Sequence, residues 1–411
     1  LELKRNLDVI IRDAFEKDET FTFALREAFG NFINDRKNTA VSGTSKTGEM
    51  IAKYMDQLLR GGLKAVPRSL TSDAKDRDEA EKQGLASTGD EDAGHCRRVP
   101  LLTIMLADSA CSMTVGPLKD FQMTDLEKYE LEVAAWLHDC GKITTPEYVV
   151  DKGTKLETIF DRIHLVQARF EVLRRDAEIE ALRRQISTSN FGTPDLGNDD
   201  IYQKRLKWIE DACEFIASCN IGGETIKPED VSKIDMIAEE IWQTPSGEPG
   251  PLLTEEETQN LKIGRGTLSV REREIINNHV SVTIKMLESL PYPKHLRRVP
   301  EYAGGHHEKI DGTGYPNRLK GEEMSVQARM VAIADVFEAL SASDRPYKKA
   351  MPLSQSLAIL GQMKVDGHVD PDLFDIFVND KIYLEYAEEH LSPSQIDDVD
   401  LTKIPGYKSL H

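Results

Sequence analysis

Along residues 1 to about 62, apolar side chains recur three and four positions apart. Leu3, Leu7, Ile10, Ile11 and Ala14 form one run, Phe21, Leu25, Ala28 and Phe32 a second, and Met50, Ile51, Tyr54 and Leu58 a third. That spacing predicts three amphipathic helices, each with one apolar stripe. From Ser69 to Ala93 large apolar residues almost vanish (SLTSDAKDRDEAEKQGLASTGDEDA), which predicts a charged linker over 69–93 and a domain boundary. From Gly94 onward helical periodicity dominates and no alternating strand pattern persists, so the expected fold class is all-α, a helical bundle. Thr124 with Glu127, and Ser269 with Glu272, have the spacing of capping boxes. They predict the starts of helices that end near Gly141 and Leu290. Polar or Gly/Pro-rich stretches (STSNFGTPDLGNDD and TPSGEPGP) bound a segment over 176–266, read as an inserted helical subdomain with runs at Trp208–Cys219 and Val231–Trp242. Residues 392–411 read as a C-terminal tail.

Composition narrows the class. With 411 residues, 39% hydrophobic and 30% charged, the chain can bury a real core and form two or three domains. No stretch approaches the roughly 18 uninterrupted apolar residues of a membrane span, and the first twenty residues lack a signal-peptide pattern, so a cytoplasmic location without membrane attachment is expected. The first residue is not Met, which leaves the true beginning open. The formal net charge of −19 opposes non-specific binding to DNA. An anionic ligand therefore needs local positive charge or a metal. Cys96, Cys111, Cys140, Cys213 and Cys219 form no CxxC pair, so neither a disulfide framework nor a thiolate zinc site is indicated.

Candidate chemistry lies in the histidines. His138 and Asp139 end an apolar run (AAWLHDCGK), where a carboxylate beside Trp136 and Leu137 is costly without a cation or another partner. Adjacent helical residues diverge by about 100°, so such a pair suits two neighbouring ions better than one. His306 and His307 form a second adjacent pair. Together the pairs point to a dinuclear site of the kind that holds both water and phosphoryl oxygens. Asp335 falls in ARMVAIADVFEAL, apolar on nearly every face, and needs a buried cation or an Arg. His279 lies on the core-facing side of its helix, and His95 opens another. A lone histidine of this sort is more often a satisfied core residue. Seven donors without sulfur (His95, His138, Asp139, His279, His306, His307, Asp335) suit two divalent ions, iron or manganese, better than structural zinc.

HDCGK (138–142), HHEKIDGTGYP (306–316) and ADVFEALSASDRPYKK (334–349), in this order and spacing, resemble the HD-GYP family of the HD hydrolase superfamily. The resemblance covers roughly Gly94 to Leu391. It implies an α-helical, metal-dependent phosphodiesterase that hydrolyses a cyclic dinucleotide, most often cyclic di-GMP, to a linear product. The seven donors fall on the family's ligand positions. Asp139 and Lys142 take catalytic places, with the Lys142 ammonium reaching the face of His138 to neutralise a phosphate; an ordinary solvated lysine is the alternative. In the GTGYP turn, Gly312 and Gly314 permit positive φ, and Tyr315 can present its ring to a guanine base. Arg345 and Lys348 match phosphate-contacting positions. His164 rivals His279 as the helix-borne ligand, but TLSVREREIINNH resembles the family's lead-in.

Residues 1–93 resemble a cullin through LKRNLDVIIRDAFEKDETFTFALREAFGNFIN and GEMIAKYMDQLLRGGLK. This likeness covers only the middle of such a scaffold and implies an inert or protein-binding helical layer over 1–68. Two rival readings follow: a catalytically silent nucleotide-sensing or protein-binding module, and a fragment of a ubiquitin-ligase scaffold. The oligomeric state is open, a homodimer included.

Overall fold

The computed structural model describes residues 91–188, 195–223, 225–290, 292–342 and 351–409. The cullin-like block, linker residues 69–90, and Arg345 and Lys348 lie outside them, whereas the last three residues of the expected linker, Glu91 to Ala93, already belong to the first described helix. The described chain is all-α apart from one two-stranded hairpin, and it divides into two compact units, Pro146–Ile276 and the residues on either side of it.

The flanking unit is a bundle of α1 (Glu91–Ser112), α2 (Asp125–Leu137), the later part of α8 (Val270–Glu288), α9 (Val299–Gly304), α10 (Val326–Ser341), α11 (Leu353–Val365), α12 (Pro371–Asn379) and α13 (Ile382–His390). The predicted capping box opens α2: Thr124 Oγ1 accepts from Glu127 N, and the Glu127 carboxylate accepts from Thr124 N at 2.7 Å. Ser325 caps α10 by accepting from Ala328 N. Helix α10 is buried on almost every side, as its apolar sequence requires, and packs against α1, α9, α11 and α12. Leu102 and Leu106 of α1, Leu131 and Leu137 of α2, Phe337 of α10 and Phe374 and Phe377 of α12 form the centre of this core, all fully buried. Helix α2 ends at Leu137, short of the predicted Gly141, because the chain tightens into a 3-10 turn over Cys140–Thr144.

The other unit holds α3 (Glu147–Val150), α4 (Ile163–Thr188), α5 (Asp200–Asn220), α6 (Pro228–Ala238), the hairpin β1 (Ile241–Gln243) with β2 (Pro249–Pro251), and α7 (Glu255–Leu261). Its separate core gathers Phe170, Leu173, Ile209, Ile216, Ile234, Leu252 and Leu261. Helix α4 runs uninterrupted through Asp176, so this unit is wider than the stretch that composition marks. The helical run expected over Val231–Trp242 stops at Ala238, and Trp242 lies on β1. Gly247, at φ +85°, allows the turn that pairs Ile241 with Pro251. Helix α8 begins with the expected capping box, Ser269 N donating to Glu272 at 2.8 Å, and ends at Glu288. Among the described residues no helix is long and apolar enough to cross a membrane.

Candidate metal centre

Five segments of the bundle bring their donors to one place. Helix α1 supplies His95, the end of α2 supplies His138 and Asp139, α8 supplies His279, the turn after α9 supplies His306 and His307, and α10 supplies Asp335. All are buried except His307, which is half-buried. Close approach makes this possible at Gly141, where a Cβ would stand 2.0 Å from the His279 carbonyl oxygen. The same contact is pinned by Thr283, whose hydroxyl accepts from Gly141 N at 2.9 Å and donates to His138 O at 3.2 Å.

Asp139 is the hinge of the arrangement. Its Oδ2 lies 3.2 Å from His138 Nε2 and 3.4 Å from His95 Nε2, while its Oδ1 lies 3.1 Å from His279 Nε2 and 3.8 Å from His306 Nε2. Asp335 Oδ1 faces His95 Nε2 at 3.2 Å and His138 Nε2 at 3.8 Å. The rings of His306 and His307 are 4.2 Å apart, and that of His279 lies 5.2 Å from His307. Two overlapping donor groups result: His95, His138, Asp139 and Asp335 on one side, and Asp139, His279, His306 and His307 on the other.

Hydrogen bonding fixes which ring nitrogens are available. His138 Nδ1 meets the Ala135 carbonyl and His306 Nδ1 the Ala303 carbonyl, each at 2.6 Å. A carbonyl can only accept, so each Nδ1 carries the proton and each Nε2 keeps a lone pair. Both Nε2 atoms are buried with no hydrogen-bond partner, which is rare without an ion to receive them. The residues therefore fit divalent cations.

Charge follows the same geometry. Burial opposes ionisation of Asp139, but the Lys142 ammonium, 2.7 Å from Oδ2, and the His138 imidazole hold its carboxyl well below the usual range. Burial likewise opposes the charge on Asp335, but the hydrogen bond from His95 and the nearby His138, His95 and His307 imidazoles together outweigh it and keep the carboxyl low. Burial pushes His306 well down, helped by His307 and His138, and pushes His307 to about 4. Neutral imidazoles are the form that binds metal.

The GYP loop sits beside this cradle. Tyr315 stacks on His307 with ring centres 4.9 Å apart, and its backbone N–H donates to His307 O. Gly312 takes φ +80° as expected. Gly314 does not adopt positive φ; it is required because a Cβ there would lie 2.4 Å from Lys309 N. The left-handed residue is instead Arg318 at φ 58°. His164, the rival ligand, is exposed at the start of α4 in the other unit.

Four contributors escaped the sequence reading. Glu338 is buried on α10, Oε2 against His95 Nδ1 and Oε1 accepting from Arg98 Nε at 2.7 Å. It carries the same mark in the sequence as Asp335, being a second acid one turn further along the same apolar helix. Glu308 is buried directly after the histidine pair and accepts from Asn317 N at 2.7 Å and Leu319 N at 3.0 Å, closing the GYP loop. Nothing in the local sequence marks Arg98 or Thr283.

A family model described as an HD domain matches residues 254–373, which include His279, His306, His307 and Asp335. The chain carries an HD domain. A 3'3'-cGAMP-specific phosphodiesterase of Vibrio cholerae is 41% identical over 109 residues, 26% of this chain and 23% of the relative. A cyclic di-GMP phosphodiesterase of Pseudomonas aeruginosa is 47% identical over 73 residues, 18% of this chain and 17% of the relative. A cyclic di-GMP phosphodiesterase response regulator of Xanthomonas campestris is 35% identical over 121 residues, 29% of this chain and 31% of the relative. The matches thus span less than a third of these relatives' lengths. Ahead of the HD domain, a model described as a cullin alpha solenoid domain matches residues 1–87.

Proposed function

We propose that this chain is a metal-dependent phosphodiesterase that opens a cyclic dinucleotide, with cyclic di-GMP as the substrate and a linear dinucleotide as the product. The observation that carries the reading is the buried Asp139 carboxylate, whose two oxygens face two different groups of imidazoles. Two divalent ions, iron or manganese, held by His95, His138, Asp139 and Asp335 on one side and Asp139, His279, His306 and His307 on the other, would supply Lewis acidity to a phosphoryl group and acidify water.

The chain's own residues do the rest. Asp139 and Asp335 provide compensating negative charge beside the imidazoles, and Ala135 and Ala303 hold His138 and His306 in the donor tautomer. Lys142, at the edge of the donor cluster, brings an ammonium that can face a phosphate oxygen and stabilise its developing charge. Tyr315, held against His307, offers an aromatic ring for a base, and Arg345 and Lys348 follow α10 in sequence as phosphate partners. The names of the relatives support a cyclic dinucleotide as substrate and include both cyclic di-GMP and 3'3'-cGAMP.

The test is product analysis with anaerobically purified chain loaded with Fe(II) or Mn(II). Cyclic di-GMP is expected to yield the linear dinucleotide faster than 3'3'-cGAMP does, and Asp139→Asn is expected to abolish turnover. Preference for 3'3'-cGAMP would overturn the choice of substrate; no cleavage of either by metal-loaded protein would overturn the reaction.

A further inference from the structure

His95 is anchored differently from His138 and His306. Those two direct Nδ1 at neutral backbone carbonyls three residues earlier. His95 directs Nδ1 at the carboxylate of Glu338, 243 positions away on α10, and the other oxygen of that carboxylate is held by Arg98 through Nε at 2.7 Å and a second nitrogen at 2.5 Å. Glu338 is fully buried and Arg98 lies one turn after His95 on α1, so the three side chains lock α1 to α10. A carboxylate behind a ligating imidazole fixes its orientation and makes the opposite nitrogen a stronger donor than a carbonyl does. The opposite nitrogen here is Nε2, which faces Asp335 and Asp139.

We infer that Glu338, clamped by Arg98, is a positioning residue that makes the two metal positions unequal, tightening the one built on His95, His138, Asp139 and Asp335 while leaving the one built on Asp139, His279, His306 and His307 unaffected. This inference rests on the two-ion reading above. It concerns the order in which the positions fill and says nothing of the substrate.

Mn(II) titration of the full chain, followed by electron paramagnetic resonance and by equilibrium dialysis, separates the two positions. Wild-type protein is expected to bind two equivalents with distinct affinities. In Glu338→Gln, one equivalent is expected to weaken by roughly 10- to 100-fold, the usual effect of removing such an outer partner, while the other keeps its wild-type affinity. Arg98→Gln is expected to shift the same equivalent in the same direction, and Arg98→Lys to restore it; these two variants decide the matter if Glu338→Gln does not fold. Unchanged affinities, or equal weakening of both equivalents, would overturn the inference, as would a wild type that binds a single equivalent. Two unequal equivalents responding as expected in a protein that cleaves no cyclic dinucleotide would uphold the inference and sink the proposed reaction instead.

Discussion

Gly141 leaves no room for a side chain, and the reason is functional geometry: its backbone is the surface against which the His279 turn of α8 rests. Gly141→Ala is expected to cost at least the ~1–3 kcal/mol typical of overpacking and to lower the melting temperature, whereas Gly264→Ala, with open space around its Cβ, is expected to be near neutral. Thermal unfolding followed by circular dichroism reads both. Thr283→Val keeps the shape but strands the buried Gly141 N–H, a loss of ~1–3 kcal/mol that the same melts would register. The adjacent pairs His138–Asp139 and His306–His307 were legible because neighbouring donors in apolar surroundings are costly without an ion. Thr283 was not, since its partner lies more than a hundred positions away, whereas Glu338 carries the same mark as Asp335, an acid on an apolar helix. Gly314 was singled out for the wrong physical reason: it admits a neighbouring backbone rather than an unusual φ.

Helix α10 is an element in which packing and chemistry share one surface, with Phe337 filling the core between Asp335 and Glu338. Phe337→Ala is expected to cost ~3–5 kcal/mol and to weaken metal binding as well, because both acids ride on the same turn; a denaturant midpoint measured beside a Mn(II) titration checks this. In the other unit the decisive element is α7. Glu257 is buried there, and although burial opposes its charge, the paired hydrogen bonds from Arg169 at 2.7 and 3.0 Å and the cap at Thr254 hold its carboxyl below the usual range. A carboxyl depressed in the folded state contributes stability above its unfolded pKa, and that contribution is lost as pH falls through the folded value. Acid unfolding of this unit is therefore expected to set in below about pH 4. Arg169→Gln, by leaving the buried charge unpaired, is expected to cost ~3–5 kcal/mol at neutral pH and to flatten the acid dependence. Capping boxes made the starts of α2 and α8 readable. The β1–β2 hairpin was not, because three-residue strands are too short for alternation to register.

At the scale of the molecule, the two apolar cores found among the described residues are expected to give two separate stabilities. If the donor cluster binds ions, a chelator is expected to destabilise the bundle around it by the linkage term, ~2.7 kcal/mol for a ligand supplied at a hundred times its dissociation constant. Hydrogen exchange should rise in α1, α2 and α10 and stay level in α4 and α5; a uniform rise would contradict the prediction. The all-α class was legible from periodicity along the described chain outside the β1–β2 hairpin, whereas the width of the Pro146–Ile276 unit was not, since α4 carries its helical pattern straight across the compositional edge. The Glu308 clasp has a consequence of another kind. It ties the start of the GYP loop to its end through half-buried hydrogen bonds while Asp311 and Thr313 at the tip stay exposed, so substitutions at the tip are expected to leave the histidines beneath undisturbed.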